Sequence, residues 1–311
     1  MASPALKAAI RQQQFVVAPG VFDLISAKVA DRLGFGALYA TGYGMVASHL
    51  GLADVGLATY SDMVARAGQI AQSCHTPVIA DADTGYGGLI NVRHSVRGYE
   101  AAGIAAIQIE DQESPKKCGH TPGRRVIPAE EMALKVEVAV ESRNSPDFLV
   151  IARTDARTSL GLSEAIRRGQ LYARAGADIV FVESPETEDE LARIGQEINA
   201  PLLTNMVEGG RTPILPVERL AALGFNVAIY PAIGFLAAAA ALERVYEHLR
   251  QNGDSTALPA SDSYGFERMC DLMGFPQVWE LERHWAARGV AAGGAHDLPR
   301  EPASVSAKAS L

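Results

Sequence analysis

Apolar residues along this chain fall into short, nearly continuous runs separated by longer stretches of helical spacing, and the alternation repeats about eight times. The runs Phe15–Ala18, Ala37–Thr41, Val78–Asp83, Ala106–Asp111, Phe148–Asp155, Ile179–Glu183, Pro201–Asn205 and Asn226–Tyr230 are short and strongly apolar, and they predict strands. Between them, 23–33, 62–74, 91–102, 129–142, 162–175, 187–198 and 216–223 carry helical periodicity, and a long helix near 232–251 follows the last strand. Strands that are apolar on both faces must be covered on both, which is the condition of a parallel sheet. Parallel strands joined through helices are βαβ units. Eight of them in about 230 residues suit a closed (β/α)8 barrel of the TIM type better than an open doubly wound sheet.

The polar residues of these runs gather at their ends: Thr41, Asp81 and Asp83, Glu110 and Asp111, Arg153 and Asp155, Glu183, Asn205. In a barrel such ends converge on one mouth, where the chemistry of the fold sits. No glycine-rich phosphate fingerprint follows the first strand. Outside the eight units, Ser3-Pro4 predicts an N-cap and a short helix over 4–13 across the barrel bottom. Residues 263–287 hold Phe266, Met269, Leu272, Met273, Val278, Leu281 and Trp285, an apolar set that needs a surface to cover. From Gly289 the composition turns to Ala, Gly, Pro and Ser and predicts disorder. The expected organisation is one barrel domain with an N-terminal helix and a C-terminal helical extension over 1–288, then a tail over 289–311.

Composition narrows the partners. The chain has 28 Lys+Arg against 36 Asp+Glu, a net charge of −8, which argues against a general affinity for nucleic-acid phosphates. Cys74, Cys118 and Cys270 are odd in number and far apart, so a disulfide framework is not expected and a reducing compartment is. The N-terminus carries no apolar stretch of signal-peptide length, and the longest uncharged run, Val227 to Leu242, is broken by Pro231 and Gly234 and too short to span a bilayer. A cytoplasmic protein without membrane or nucleic-acid partners is the expectation.

Candidate chemistry begins at Asp81-Ala82-Asp83-Thr84-Gly85-Tyr86-Gly87. Residues two apart on a strand share a face, so both carboxylates enter the mouth together. A divalent cation relieves their repulsion, and all-oxygen donors favour magnesium or manganese over zinc. The plainer alternative has one aspartate capping the next helix while the other faces water; Glu110, ending the next strand, supplies a third carboxylate and tips the balance toward a metal. The loop from Gln112 to Arg125 is long for a βα connection and reads as a lid. Within it Cys118 stands beside Lys116, Lys117 and His120, an electropositive setting that lowers a thiol pKa and favours an acid/base role over a packing one. Cys74 and Cys270, among apolar residues on helical patterns, suit packing. Arg153 closes an apolar run and needs an anion, either a protein carboxylate or a substrate carboxylate. Thr41-Gly42-Tyr43-Gly44 offers either a tight turn or backbone N–H groups that cradle a carboxylate. The histidines at 49, 75, 94, 248, 284 and 296 are scattered and read as surface or packing residues.

Together these stretches resemble the isocitrate lyase/phosphoenolpyruvate mutase superfamily. The resemblance rests on Thr41–Gly44, Gly51–Asp54, Asp81–Gly87, Ile109–Asp111, Lys116–His120, Ile151–Asp155, Val182-Glu183 and Thr204-Asn205, and it runs over roughly residues 5–285. Lys116-Lys117-Cys118-Gly119-His120 is its most specific piece, since it marks the carbon–carbon lyases of the family. The resemblance implies that Asp83 ligates Mg²⁺ while Asp81 and Glu110 hold its water shell, with Mn²⁺ as the alternative ion. It implies that Thr41, Gly42, Tyr43 and Arg153 hold the substrate carboxylate, and that Asp54 helps position the metal waters. Glu183, Asn205 and Glu208 would line the pocket of the second carboxylate, with Gly119 also at the substrate. Tyr39 would assist deprotonation of the substrate hydroxyl, and Lys116, Cys118 and His120 would form the catalytic lid.

The implied reaction is a retro-aldol or retro-Claisen cleavage in which Cys118 protonates the carbanion as the lid closes. The Thr-Gly-Tyr-Gly turn resembles that of the 2,3-dimethylmalate lyases more than the Ser-Gly-Gly-Gly type of the 2-methylisocitrate lyases. A 2-alkylmalate cleaved to pyruvate and a short carboxylate is therefore the expected activity. The alternatives are 2-methylisocitrate cleavage to pyruvate and succinate, oxaloacetate decarboxylation or hydrolysis, phosphonate chemistry, and last a non-catalytic metabolite binder. The resemblance also implies a homotetramer that exchanges its C-terminal helices.

Overall fold

The computed structural model describes residues 4–119, 121, 123–259 and 263–291. The cap expected from Ser3 and the tail from 292 onward lie outside these. In chain order the elements are α1 (Pro4–Arg11), β1 (Val16–Val21), α2 (Leu24–Arg32), β2 (Leu38–Ala40), α3 (Gly42–Leu50), α4 (Tyr60–Ser73), β3 (Val78–Asp81), α5 (Leu89–Ala101), β4 (Ala106–Glu110), α6 (Ala129–Ser142) and β5 (Leu149–Thr154). They continue with α7 (Ala156–Leu160), α8 (Leu162–Arg174), β6 (Ile179–Val182), α9 (Glu188–Glu197), β7 (Leu202–Asn205), α10 (Val217–Ala222), β8 (Val227–Tyr230), α11 (Ile233–Asn252), α12 (Phe266–Met273) and α13 (Phe275–Ala291). The eight strands pair in sequence order, all parallel, and β8 returns to β1 to close the barrel. The (β/α)8 architecture expected from the hydrophobic pattern is the architecture found, with element ends within two residues of their expected places except in β1, which runs three residues past Ala18 to Val21.

The two-residue period of the strands decides what enters the barrel. Tyr39, Ile79, Ile151, Phe181, Leu203 and Ile229 point inward and pack as a buried cluster. The next inward positions toward the strand ends are Asp81, Glu110, Arg153, Glu183 and Asn205, so the residues of the mouth continue the core columns. Alternate residues such as Ala80, Val150 and Val180 face outward and pack under the helices. At the opposite end, Leu6 and Ile10 of α1 join the inner cluster and seal the bottom. Burying two such side chains contributes roughly 3–6 kcal/mol before entropy is counted.

Three local features depart from the sequence reading. Thr41–Gly44 is neither a tight turn nor a loose glycine loop: Thr41 is extended (φ −74°, ψ 124°) and α3 starts at Gly42, ending at Gly51 in the left-handed region (φ 65°). Two glycines lower helix propensity over the first turn and hide the helix from a periodicity test. The short α7 was likewise not expected. Finally, α13 runs to Ala291, three residues into the stretch expected to be disordered. The chain divides into two compact units, Met1–Tyr246, which holds the barrel, and Glu247–Leu311, which holds α12 and α13. In the second unit Leu272 is buried, the rings of Phe275 and Trp279 meet edge to face at 5.9 Å, and Arg268 lies 4.4 Å over Tyr264. No helix among the described residues is long and apolar enough to cross a membrane.

Candidate active site

A cavity of about 70 Å³ opens at the C-terminal mouth of the barrel. It is lined by Tyr39, Thr41, Tyr43, Asp54, Asp81, Glu110, Lys116, Cys118, Gly119, Arg153, Glu183 and Asn205, all singled out in the sequence. Lys117, Val207, Ile229, Pro231, Ala232 and Phe235 complete the lining and were not singled out as site residues. Three expected members stand apart from it. Asp83 lies behind Lys116 in the wall of an adjacent cavity of about 390 Å³. Gly42 lies beneath the mouth: a Cβ there would overlap the Asp81 carboxylate, so glycine lets α3 begin against that aspartate. Glu208 is exposed and lines neither cavity, because the chain turns outward after Asn205, with Gly210 N–H donating to Val207 O at 3.0 Å. His120 lies outside the described residues.

The carboxylate cluster is crowded and buried. Asp81 Oδ1 accepts from the Asp83 N–H at 3.0 Å, which holds Asp83 in the left-handed region (φ 47°). The Lys116 ammonium pairs with Asp54 and, at 2.7 Å, with Asp83. Burial pushes Asp83 up to about 6, with Lys116 opposing and Asp81 and Asp54 reinforcing the rise. Burial likewise raises Glu110 well above the usual carboxylate range against the pull of Arg153. Burial works against the Lys116 charge, but Asp83, Asp81, Asp54 and Glu110 outweigh it and raise its pKa. Tyr39 is raised by burial and then by Asp81; its hydroxyl donates to Gln108 Oε1 at 3.1 Å and stays a phenol at neutral pH.

This cluster fits a hard divalent cation. Its donors are all oxygen, it carries more negative charge than Lys116 and Arg153 neutralise, and Glu110 Oε1 is buried without a hydrogen-bond partner. No three His, Cys, Asp or Glu side chains among the described residues close into a direct ligand group. Mg²⁺ suits that spacing, since it binds through one or two carboxylates and keeps several waters.

Across the mouth, Arg153 is held by Asp155 (2.8 and 2.9 Å) and faces Glu110 at 3.4 Å and Glu183 at 3.5 Å. Its guanidinium also lies 5.3 Å from the Phe181 ring centroid. Burial disfavours its charge, yet Asp155, Glu110 and Glu183 raise its pKa and keep it cationic. Gly119 sits directly on this group: a Cβ there would meet Arg153 Nη2 and lie 3.1 Å from Glu183 Cδ. Beneath the site, Asp111 accepts from Thr154 Oγ1 (2.7 Å), Tyr172 OH (2.7 Å), Arg168 Nη1 (3.0 Å) and the Asp155 N–H (2.9 Å). Asp111 has outward parity, so it joins β4 and β5 to α8 rather than entering the mouth. Its partners lie 43 to 61 residues away, and no local pattern announced them.

A (β/α)8 barrel with an acid cluster, a cysteine-bearing loop and a buried arginine at one mouth defines a class of enzyme. Residues 6–250 match the phosphoenolpyruvate phosphomutase family model, and the chain belongs to that family. It is 51% identical over 274 residues to the 2,3-dimethylmalate lyase of Eubacterium barkeri, covering 88% of this chain and 94% of that one. It is 41% identical over 270 residues to a 2-methylisocitrate lyase of Aeropyrum pernix, covering 87% and 86%. Among solved structures it is similar to phosphonopyruvate hydrolase in complex with oxalate and Mg²⁺ (TM-score 0.82, 30% identity, 93% of this chain and 100% of that one). The superfamily resemblance read from the motifs is thus met across nearly the whole barrel.

Proposed function

We propose that this chain is a magnesium-dependent carbon–carbon lyase acting on a 2-hydroxy dicarboxylate of the 2-alkylmalate type, with 2,3-dimethylmalate yielding pyruvate and propionate. The observation that carries the reading is a cavity holding Cys118, Arg153 and the carboxylates Asp54, Asp81 and Glu110 together, with Asp83 just beyond Lys116 in the adjoining cavity. Asp83 would hold the ion, with Asp81 and Glu110 taking its waters; bound there, it lowers the pKa of the substrate hydroxyl and polarises the carbonyl that forms. Arg153 and the start of α3, where Thr41 makes no side-chain cap, bind the carboxylate beside that hydroxyl. Tyr39, kept a phenol, orients the hydroxyl by hydrogen bonding rather than as a phenolate base. As the C2–C3 bond breaks, the hydroxyl proton passes to a carboxylate of the acid cluster, where Glu110 Oε1 is an unpartnered acceptor, and the C2–O bond becomes the carbonyl. The C2–C3 electron pair moves to C3, and the Cys118 thiol delivers a proton to that carbon. The Lys116 ammonium is taken up by Asp54 and Asp83, so positive charge beside the thiol comes from Lys117 and, by the resemblance, His120. Glu183 and Asn205 line the end taken by the second carboxylate.

The remaining wall favours an alkyl group over a third carboxylate. Tyr43 and Phe235 meet at 5.1 Å and, with Val207, Ile229, Pro231 and Ala232, form an apolar side. Incubation with 2,3-dimethylmalate, 2-methylisocitrate, oxaloacetate and phosphonopyruvate in Mg²⁺, with product analysis, tests the reading. Faster turnover of 2,3-dimethylmalate supports it; preference for any other member of the panel overturns it. The assembly is a homotetramer, and a monomer by light scattering at micromolar concentration would contradict that.

A further inference from the structure

Two arginines meet on one buried carboxylate behind the mouth. Arg124 Nη1 donates to Asp155 Oδ1 at 2.6 Å, and its Nη2 donates to Thr158 Oγ1 at 2.7 Å and approaches Ser184 Oγ at 3.4 Å. Arg153 grips the same Asp155 through Nε to Oδ2 at 2.8 Å and Nη2 to Oδ1 at 2.9 Å. The Arg124 and Asp155 side chains are both fully buried. Charge counting shows why the second cation matters. Arg153 alone faces Asp155, Glu110 and Glu183, three carboxylates against one guanidinium, which leaves little positive field for an incoming anion. Arg124 neutralises Asp155 from the other side and returns that field to Arg153.

The position of Arg124 in the chain adds a second consequence. It stands on the returning limb of the loop that carries Cys118, whose stem is paired by the Gln112–Val126 bridge and by Glu113 N–H to Arg125 O at 2.9 Å. On the outgoing limb, the Gly119 carbonyl accepts from Ser184 Oγ at 3.2 Å, and Ser184 holds a left-handed backbone (φ 61°) to reach it. The loop is therefore moored to the ends of β5 and β6 beside the groups that hold Arg153.

We propose that Arg124 is a positioning residue for the reaction: through Asp155 it keeps the Arg153 guanidinium directed at the substrate carboxylate and fixes the Cys118 loop to that anchor. This rests on the reading of Arg153 as the carboxylate anchor. The test compares Arg124→Met, Arg124→Lys and the control Arg125→Met, whose side chain is solvent-exposed. The measurements are pyruvate affinity by titration calorimetry in Mg²⁺, the separate kcat and KM for 2,3-dimethylmalate, and thermal melting. Losing a charge-assisted hydrogen bond predicts that Arg124→Met weakens pyruvate binding and raises KM roughly 10- to 100-fold, with a smaller change in kcat. Arg124→Lys, which keeps the charge but not the fork, falls between, at about threefold. Arg125→Met stays at wild type.

Wild-type pyruvate affinity in Arg124→Met, or equal losses in the Met and Lys variants, would overturn the proposal. If Arg124→Met does not fold, Arg124→Lys with unchanged pyruvate affinity and KM overturns it alone. A wild-type protein that binds pyruvate but cleaves no 2-alkylmalate refutes the substrate reading only, and the pyruvate affinities still decide the role of Arg124.

Discussion

Replacing Asp111 by Ala removes a carboxylate that accepts four hydrogen bonds inside the fold. Arg168 keeps Glu164 at 2.9 Å and the Ile127 carbonyl at 2.9 Å, so it is weakened rather than stranded. Tyr172, Thr154 and the Asp155 N–H lose an acceptor that water cannot easily replace, because Asp111 is wholly buried. Breaking one buried ion pair costs about 3–5 kcal/mol. The three further bonds would add about 1 kcal/mol each in isolation, but they share one acceptor and do not add fully. The expected loss is therefore about 4–6 kcal/mol, a melting shift of roughly 10–20 °C for a unit of this size. Asp111→Asn, which keeps an acceptor and the volume, should lose about half as much. Urea unfolding followed by circular dichroism measures both. A loss under about 1 kcal/mol for Asp111→Ala would show that the network is not what joins β4 and β5 to α8.

Two further outcomes follow from the mouth. Gly119→Ala drives a methyl into Arg153 and Glu183, and a displacement near 1 Å lowers kcat/KM about 100-fold; a loss under threefold in steady-state assays would place Gly119 elsewhere in the working enzyme. In the metal-free protein the folded state holds a proton on Asp83 up to about pH 6, whereas the unfolded chain releases it near 4. Asp83 therefore lowers stability as pH rises between those values, so the stability gained by Asp83→Asn grows over that window and then levels. Mg²⁺ must displace the same proton, so its affinity climbs as the pH rises toward about 6. Calorimetric Mg²⁺ titrations from pH 5 to 7.5 that show no such rise would contradict the assignment.

Much of this was written in strand parity. Asp81, Glu110, Arg153 and Glu183 close apolar runs on inward positions, so their convergence follows from the two-residue period once the barrel is recognised. The outward Asp111 and the loop residue Arg124 carried no such mark, since their meaning depends on partners 31 to 61 residues distant. The apolar side of the cavity was hidden for a different reason. Phe235 and Ala232 look like ordinary members of an alanine-rich helix until β8 ends and turns them over the mouth. Glu208, which the resemblance placed at the second carboxylate, is exposed and lines neither cavity.

The central claim is that Cys118 gives its proton to the carbon released by C–C cleavage. The most direct measurement is nuclear magnetic resonance of 2,3-dimethylmalate incubated in D₂O with Mg²⁺ and either wild-type protein or Cys118→Ser. Wild type should form equal amounts of pyruvate and propionate, with one deuterium on propionate C2, while Cys118→Ser binds pyruvate normally but forms neither product at an appreciable rate. Cleavage by Cys118→Ser at the wild-type rate would contradict the account.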